Sequence, residues 1–275
     1  AAAAFPIDIS GPPPMKKSYP GEFVFQALAL LVAVIVVHAI YVAIVRPRAE
    51  AVLADQVARM QHDPDYVQER SLWVVIRDFE QEACFVLMLW ALAIMAYKGV
   101  SVARQSGLLQ QDLVPVAEGT RILPEDAREN TRHLQTLPEQ QQRHLLPRVL
   151  LAALQRFGAP RNIQAVSTTP HALCDAESER LDSELSMVRY IAWAIPSIGF
   201  LGTVRGIGDA LGLAHQAVEG EIAGVTRSLG VAFNSTFVAL LISIFVMFLL
   251  HQLQLRQERL VLDTETYLDS NLISH

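Results

Sequence analysis

Four long apolar runs separated by polar stretches set the layout of the chain. The first, Phe23 to Val45, lasts 23 residues with Gln26 and His38 as its polar interruptions, enough to cross a hydrocarbon core about 30 Å thick as a helix. It is too long for a signal-peptide core, and Arg46-Pro47-Arg48 predicts a sharp end to it. The second run, Ala83 to Val100, is shorter. Its apolar centre, Cys84 to Tyr97, spans if the amphipathic stretch from Leu72 to Glu82 begins the same helix. Between the two lies a polar segment from Glu50 to Gln68 with the turn signal Asp63-Pro64-Asp65.

The third run, Met187 to Ala214, is interrupted by Arg189, Arg205 and Asp209 and carries Gly199, Gly202, Gly206, Gly208 and Gly212. Small residues four apart let helix backbones approach closely in lipid, where apolar contact alone supplies no drive. The fourth run, Leu229 to Leu250, follows a short outer loop from His215 to Ser228 and leads into an amphipathic helix, Gln252 to Leu268. The expected fold is therefore all-α, with four membrane helices and a helical domain outside the membrane.

That domain is Ser101 to Glu184, polar and divided by prolines at 115, 124, 138, 147, 160 and 170. One piece, Pro147 to Phe157, sets Val149, Leu150, Ala153, Leu154 and Phe157 toward one side. The chain divides into an extended lead-in (1–22), the first two spans with their connection (23–100), the helical domain (101–186), spans three and four (187–251) and a C-terminal helix (252–275). The lead-in opens on Ala1 to Ala4 without an initiator Met, continues through Gly11 and Pro12 to Pro14, and is set aside from the fold.

Composition agrees with the membrane reading: 52% of residues are hydrophobic and mean hydropathy is +0.29, more apolar than one water-soluble core needs. A charged fraction of 18% and a net charge of -6 leave no basic footprint for nucleic acid. Cys84 and Cys174 are too few for a disulfide framework. Lys16 and Lys17 precede span one, nine arginines from Arg104 to Arg180 fill the loop between spans two and three, and Arg256 and Arg259 follow span four. This bias puts both termini and the large loop in the cytoplasm. Five arginines between 46 and 82 pull the other way and keep open a three-span topology, with the second run lying in the interface.

Spans three and four run antiparallel, so depths can be compared at 1.5 Å per residue. From Tyr190 at the inner edge, Thr203 lies about 20 Å up, and from Leu229 at the outer edge, Thr236 lies about 10 Å down, which is one level in a core of about 30 Å. Asn234 and Ser235 sit beside Thr236, Pro196 and Ser197 lie two turns below Thr203, and Pro196, Gly199, Thr203, Ile207 and Ala210 share a stripe. The stripe is a candidate pore face. The blander reading is that these hydroxyls bond their own i-4 carbonyls or glue neighbouring helices. Neither helix carries Asp, Glu or His on that stripe, so an ion crossing here needs a carboxylate from another chain.

Arg205 and Asp209, four apart, can pair on the helix surface; the sharper reading is an outer gate or a subunit contact. His38 reads as a satisfied or interfacial residue sooner than as a relay. His171 and Cys174 have the spacing of half a metal site with no second half. No nucleophile elbow, phosphate loop or HExxH is present, and the expectation is a non-enzyme without cofactor.

The segment Ile195-Pro-Ser-Ile-Gly-Phe-Leu-Gly-Thr-Val-Arg-Gly-Ile207 and the block Thr226 to Leu240 (TRSLGVAFNSTFVAL) resemble the two pore-helix signatures of the MotA/TolQ/ExbB proton-channel family, over about 60 residues. The resemblance implies a homopentamer in the bacterial inner membrane that encloses two copies of a single-span partner of the MotB/TolR/ExbD type. That partner's membrane Asp would accept and release the ion. The threonines matching Thr203 and Thr236 would line the path, the proline matching Pro196 would shape the pore helix, and ion flow would turn the pentamer about the partner. Protons are the ion the family favours, with sodium open to the hydroxyl cluster. Val231 stands where some ExbB/TolQ-type members have a Glu, so the resemblance does not extend to an accessory relay at that position. Four spans resemble the flagellar stators, though the 101–184 loop shows no match to their rotor-contacting charges, and Zorya-type phage-defence motors fit as well. The competing class is a membrane scaffold or receptor whose glycine-rich helices serve only assembly.

Overall fold

The computed structural model describes residues 19–62, 71–109, 131–157 and 163–270, and among these every regular element is a helix. The Asp63-Pro64-Asp65 turn, prolines 115, 124 and 160, and most of the N-terminal lead-in lie outside the described residues.

Helix α1 (Tyr19–Ile40) does not stop at the Arg-Pro-Arg signal. A π turn, Tyr41–Val45, carries it into α2 (Arg46–His62). The Arg46 N–H reaches back to Tyr41 O, one residue further than an α-helix allows. The widened turn sits where the Pro47 ring would otherwise strike the carbonyl four residues back. Proline here shifts the hydrogen-bond register instead of ending the helix, which corrects the expectation of a sharp stop.

Helix α3 (Phe79–Leu109) also departs from its expected bounds. Leu72–Val75 form a separate single turn and the chain breaks at Ile76 to Asp78, so of the amphipathic stretch only Phe79 to Glu82 begins the span. The helix gains length at its other end, running through the 100/101 boundary to a total of 31 residues, about 46 Å. Glu80 and Glu82 in its first turn sit at the positive end of its dipole.

Beyond α3 come α4 (Leu145–Phe157), α5 (Ile163–Glu184), α6 (Ser186–Gly212) and α7 (Ala223–Leu268). Pro147 lies in the first turn of α4, where a missing N–H costs nothing, and Pro170 lies inside α5; neither divides the chain. Gly220, at φ 98°, closes the turn between α6 and α7. The expected outer loop is shorter than 215–228, because Ala214–Val218 is helical and α7 begins at Ala223. Four helical stretches, Gly21–Met60, Phe79–Leu109, Pro170–Gly212 and Ala223–Leu268, are long and apolar enough to cross a membrane. This is a membrane protein with four candidate spans.

Two larger cores hold α3 to α7 together. In one, Val149, Leu150, Ala153 and Leu154 of α4 pack with Cys174 and Leu181 of α5 and with Val261 and Leu268. In the other, Cys84, Ala91 and Ile94 of α3 pack with Ile191 and Ile195 of α6 and with Ala239, Ile242 and Val246. Helix α7, 46 residues long, belongs to both. Helix α1 packs on α3, through Trp90 Nε1 donating to Gln26 O at 2.9 Å, a Phe25–Tyr97 ring stack and a third apolar cluster in which Val37, Tyr41 and Val45 meet Phe85 and Leu89.

Candidate ion-path site between α3, α6 and α7

Three glycines decide how closely α6 approaches α7. A Cβ at Gly199 would stand 2.5 Å from the Ala239 Cβ, one at Gly202 would stand 2.5 Å from the Ser235 Cβ, and one at Gly206 would stand 2.7 Å from the Ala232 backbone nitrogen. No side chain fits at any of the three. Gly208 and Gly212, by contrast, face nothing within 4 Å.

That approach joins the two threonines. The Thr203 and Thr236 hydroxyls hydrogen-bond each other. Thr203 Oγ1 also lies 3.2 Å from Gly199 O and 3.1 Å from Ala232 O, and Thr236 Oγ1 lies 3.1 Å from Gly199 O. Both side chains are half-buried at the edge of the seam. Ser235 is buried and donates to Val231 O at 2.8 Å. Asn234 is half-buried beside it, and Ser197, exposed, donates to Trp193 O at 3.0 Å.

The predicted stripe is split by this packing. Gly199 and Ala210 are buried, Pro196 and Thr203 half-buried and Ile207 exposed. The glycines pull α7 across part of the stripe, so its hydroxyls lie in a seam within one chain and not on an open helix face. The i-4 bonds of Ser197, Thr203 and Ser235 are those the blander reading named.

Sequence reasoning compared only spans three and four and missed what α3 adds. Arg205 pairs with Glu80, its Nε and Nη2 reaching the carboxylate oxygens at 2.7 and 2.9 Å, and not with Asp209, which is exposed. Gln81 is fully buried and its Nε2 donates to Val75 O at 3.1 Å and to Ser235 Oγ at 3.4 Å. Glu82 takes His38 Nδ1 at 2.7 Å and Arg46 Nη2 at 2.6 Å; His38 is thus a satisfied residue. Three consecutive polar residues opening an apolar helix were the available signal, since polar groups entering a membrane helix need partners.

At the opposite end of α3, buried Lys98 holds Glu22 of α1 at 2.5 Å and Glu184 of α5 at 2.7 Å. His171 faces Glu265 and Asp269 at 3.9 Å each, while Cys174 is buried in the α4/α5 core, so the two do not converge. His144, ahead of α4, has its pKa pushed below the usual histidine value by burial first and by nearby Arg104 second.

The seam that joins α6 to α7 lies inside a region that matches a known family. Residues 141–266 match the model of the MotA/TolQ/ExbB proton channel family. No curated protein and no solved structure matches the chain. The MotA/TolQ/ExbB match takes in α6 and all but the last two residues of α7, with Thr203, Thr236, Ser235 and the three packed glycines. Glu80, Gln81 and Glu82 lie outside it.

Proposed function

We propose that this chain is the ion-conducting subunit of an inner-membrane motor, assembled as a pentamer around two copies of a single-span partner. The partner supplies the membrane Asp that the α6/α7 seam lacks, and protons are the ion carried. Ion flow turns the pentamer about the partner and so converts a gradient into mechanical work. Both termini and the α4/α5 domain face the cytoplasm, in keeping with the arginines between Arg104 and Arg180.

The observation that carries the reading is the hydrogen-bonded Thr203–Thr236 pair inside the proton-channel family match. Side-chain oxygens are costly in a membrane helix interior unless partnered. Here a two-helix layer of them stands at the edge of the seam, half-exposed, where a neighbouring helix can reach it.

A second reading, a scaffold, draws on the carbonyl acceptors available to each of these hydroxyls. Thr203→Val and Thr236→Val separate the two. Hydroxyl bonds between membrane helices are worth about 0.6 kcal/mol on average, so both variants should still assemble. Purified with its partner and reconstituted in vesicles, each should lose proton flux tenfold or more under the motor reading. Wild-type flux from both variants would leave the scaffold.

A further inference from the structure

The polar side chain buried deepest beside the threonine layer belongs to α3. Gln81 has no exposed surface. Its amide is anchored at one end, where Nε2 donates to Val75 O and to Ser235 Oγ. The Val75 carbonyl fixes the amide's orientation, because turning it over would set two acceptors against each other. The carboxamide oxygen is therefore the free end, and Oε1 has no hydrogen-bond partner among the described residues. A buried acceptor in that condition has given up its hydration without return. In a polar site the usual resolution is an internal water.

The hydrogens of the neighbouring groups can be counted. Ser235 gives its hydroxyl hydrogen to Val231 O, so it meets Gln81 through a lone pair. Thr203 and Thr236 have two hydroxyl hydrogens to share between each other and the carbonyls of Gly199 and Ala232. No O–H in the layer is left over, and what it offers outward is lone pairs, with Gln81 Oε1 among them. Such a surface takes hydrogen-bond donors or cations and repels anions.

We propose that Gln81 holds an internal water at Oε1, beside Ser235, and that this water extends the Thr203–Thr236 layer toward α3. Gln81 is then a positioning residue of the ion path, setting the water through which a proton passes. One water hydrogen goes to Oε1, and the Ser235 oxygen, with a lone pair to spare, is an acceptor for the other. The inference rests on the reading of the chain as an ion-conducting subunit.

The test is Gln81→Met, which keeps side-chain length and apolar packing while removing the amide. The full chain with its membrane partner is reconstituted in vesicles, and proton flux is measured per assembled complex alongside the thermal midpoint. The expected result is a loss of flux of tenfold or more with a midpoint close to the wild-type value, because methionine fills the space of the amide while the water loses its anchor. Gln81→Glu, which keeps an acceptor oxygen, should recover part of the flux. A lower midpoint with wild-type flux per complex would make Gln81 a packing residue and overturn the proposal. A high-resolution map of the wild-type complex judges the water separately: density within hydrogen-bonding distance of Oε1 supports it, and a dry site or a protein donor there overturns it. Absence of flux from the wild-type complex would instead end the motor reading and leave the water to the map.

Discussion

Arg205 on α6 grips Glu80 on α3 with two guanidinium nitrogens, across 125 residues of sequence. The pair pins the start of α3 to α6 two residues beyond Thr203. The Glu80 side chain is 14% exposed and that of Arg205 45%. Breaking a fully buried pair costs about 3–5 kcal/mol; with the arginine this open to its surroundings, Arg205→Ala should cost about 1–2 kcal/mol. Arg205→Lys should restore only part, since an ammonium cannot make the two-pronged contact. Thermal unfolding in detergent measures this. Arg205→Gln combined with Glu80→Gln should be milder than Arg205→Ala alone, because no unpaired carboxylate remains.

The glycines divide into two groups. At Gly206 a Cβ would meet backbone atoms, Ala232 N at 2.7 Å and Ser228 O at 2.8 Å, which cannot swing aside. Gly206→Ala should push α6 off α7 and abolish the monodisperse peak in size-exclusion chromatography. Gly208→Ala and Gly212→Ala meet nothing within 4 Å and should be neutral or stabilising, by about 0.5–1 kcal/mol in a helix interior. Equal loss at all of them would contradict the packing described.

Lys98 ties three helices at the other end of α3. Lys98→Met leaves Glu22 and Glu184 without their shared cation. Charge-assisted hydrogen bonds contribute about 1.5–3 kcal/mol each, and both carboxylates are partly exposed, so the loss should be about 2 kcal/mol in total. Protection of α1 in hydrogen exchange should fall further than that of α7.

His144 gives a pH signature. Its folded-state pKa is lowered by burial and by Arg104, so the unfolded chain binds the proton more readily. Nothing is lost above the unfolded value near 6.5; stability declines as pH falls below it and levels off once the folded state also protonates. His144→Gln should flatten that decline in a pH series of unfolding midpoints. An unchanged slope below pH 6.5 would assign it to other groups.

The spans were legible because run length maps onto bilayer thickness, and counting 1.5 Å per residue brought Thr203 and Thr236 to one height. The continuation of α1 into α2 was not legible, because Pro47 reads as a stop unless a π turn precedes it. The start of α3 was misread for a related reason: the Leu72–Val75 turn has the right periodicity but breaks at Ile76. The α3 contribution to the site was hidden more deeply. Helical periodicity shows which residues share a face and says nothing of which distant helix that face meets. Glu80, Gln81 and Glu82 could be flagged as needing partners, but Arg205, Ser235, His38 and Arg46 had to be found in space.

Helix α7 runs unbroken from the threonine seam to the α4/α5 core. The 32 residue steps from Thr236 to Leu268 make a shaft of about 48 Å. A tilt of about a tenth of a radian at the seam sweeps the far end through about 5 Å, close to one helical pitch. Geometry alone thus magnifies a small rearrangement around the hydroxyls into a stroke large enough to re-seat Leu268, with no hinge to absorb it along the way.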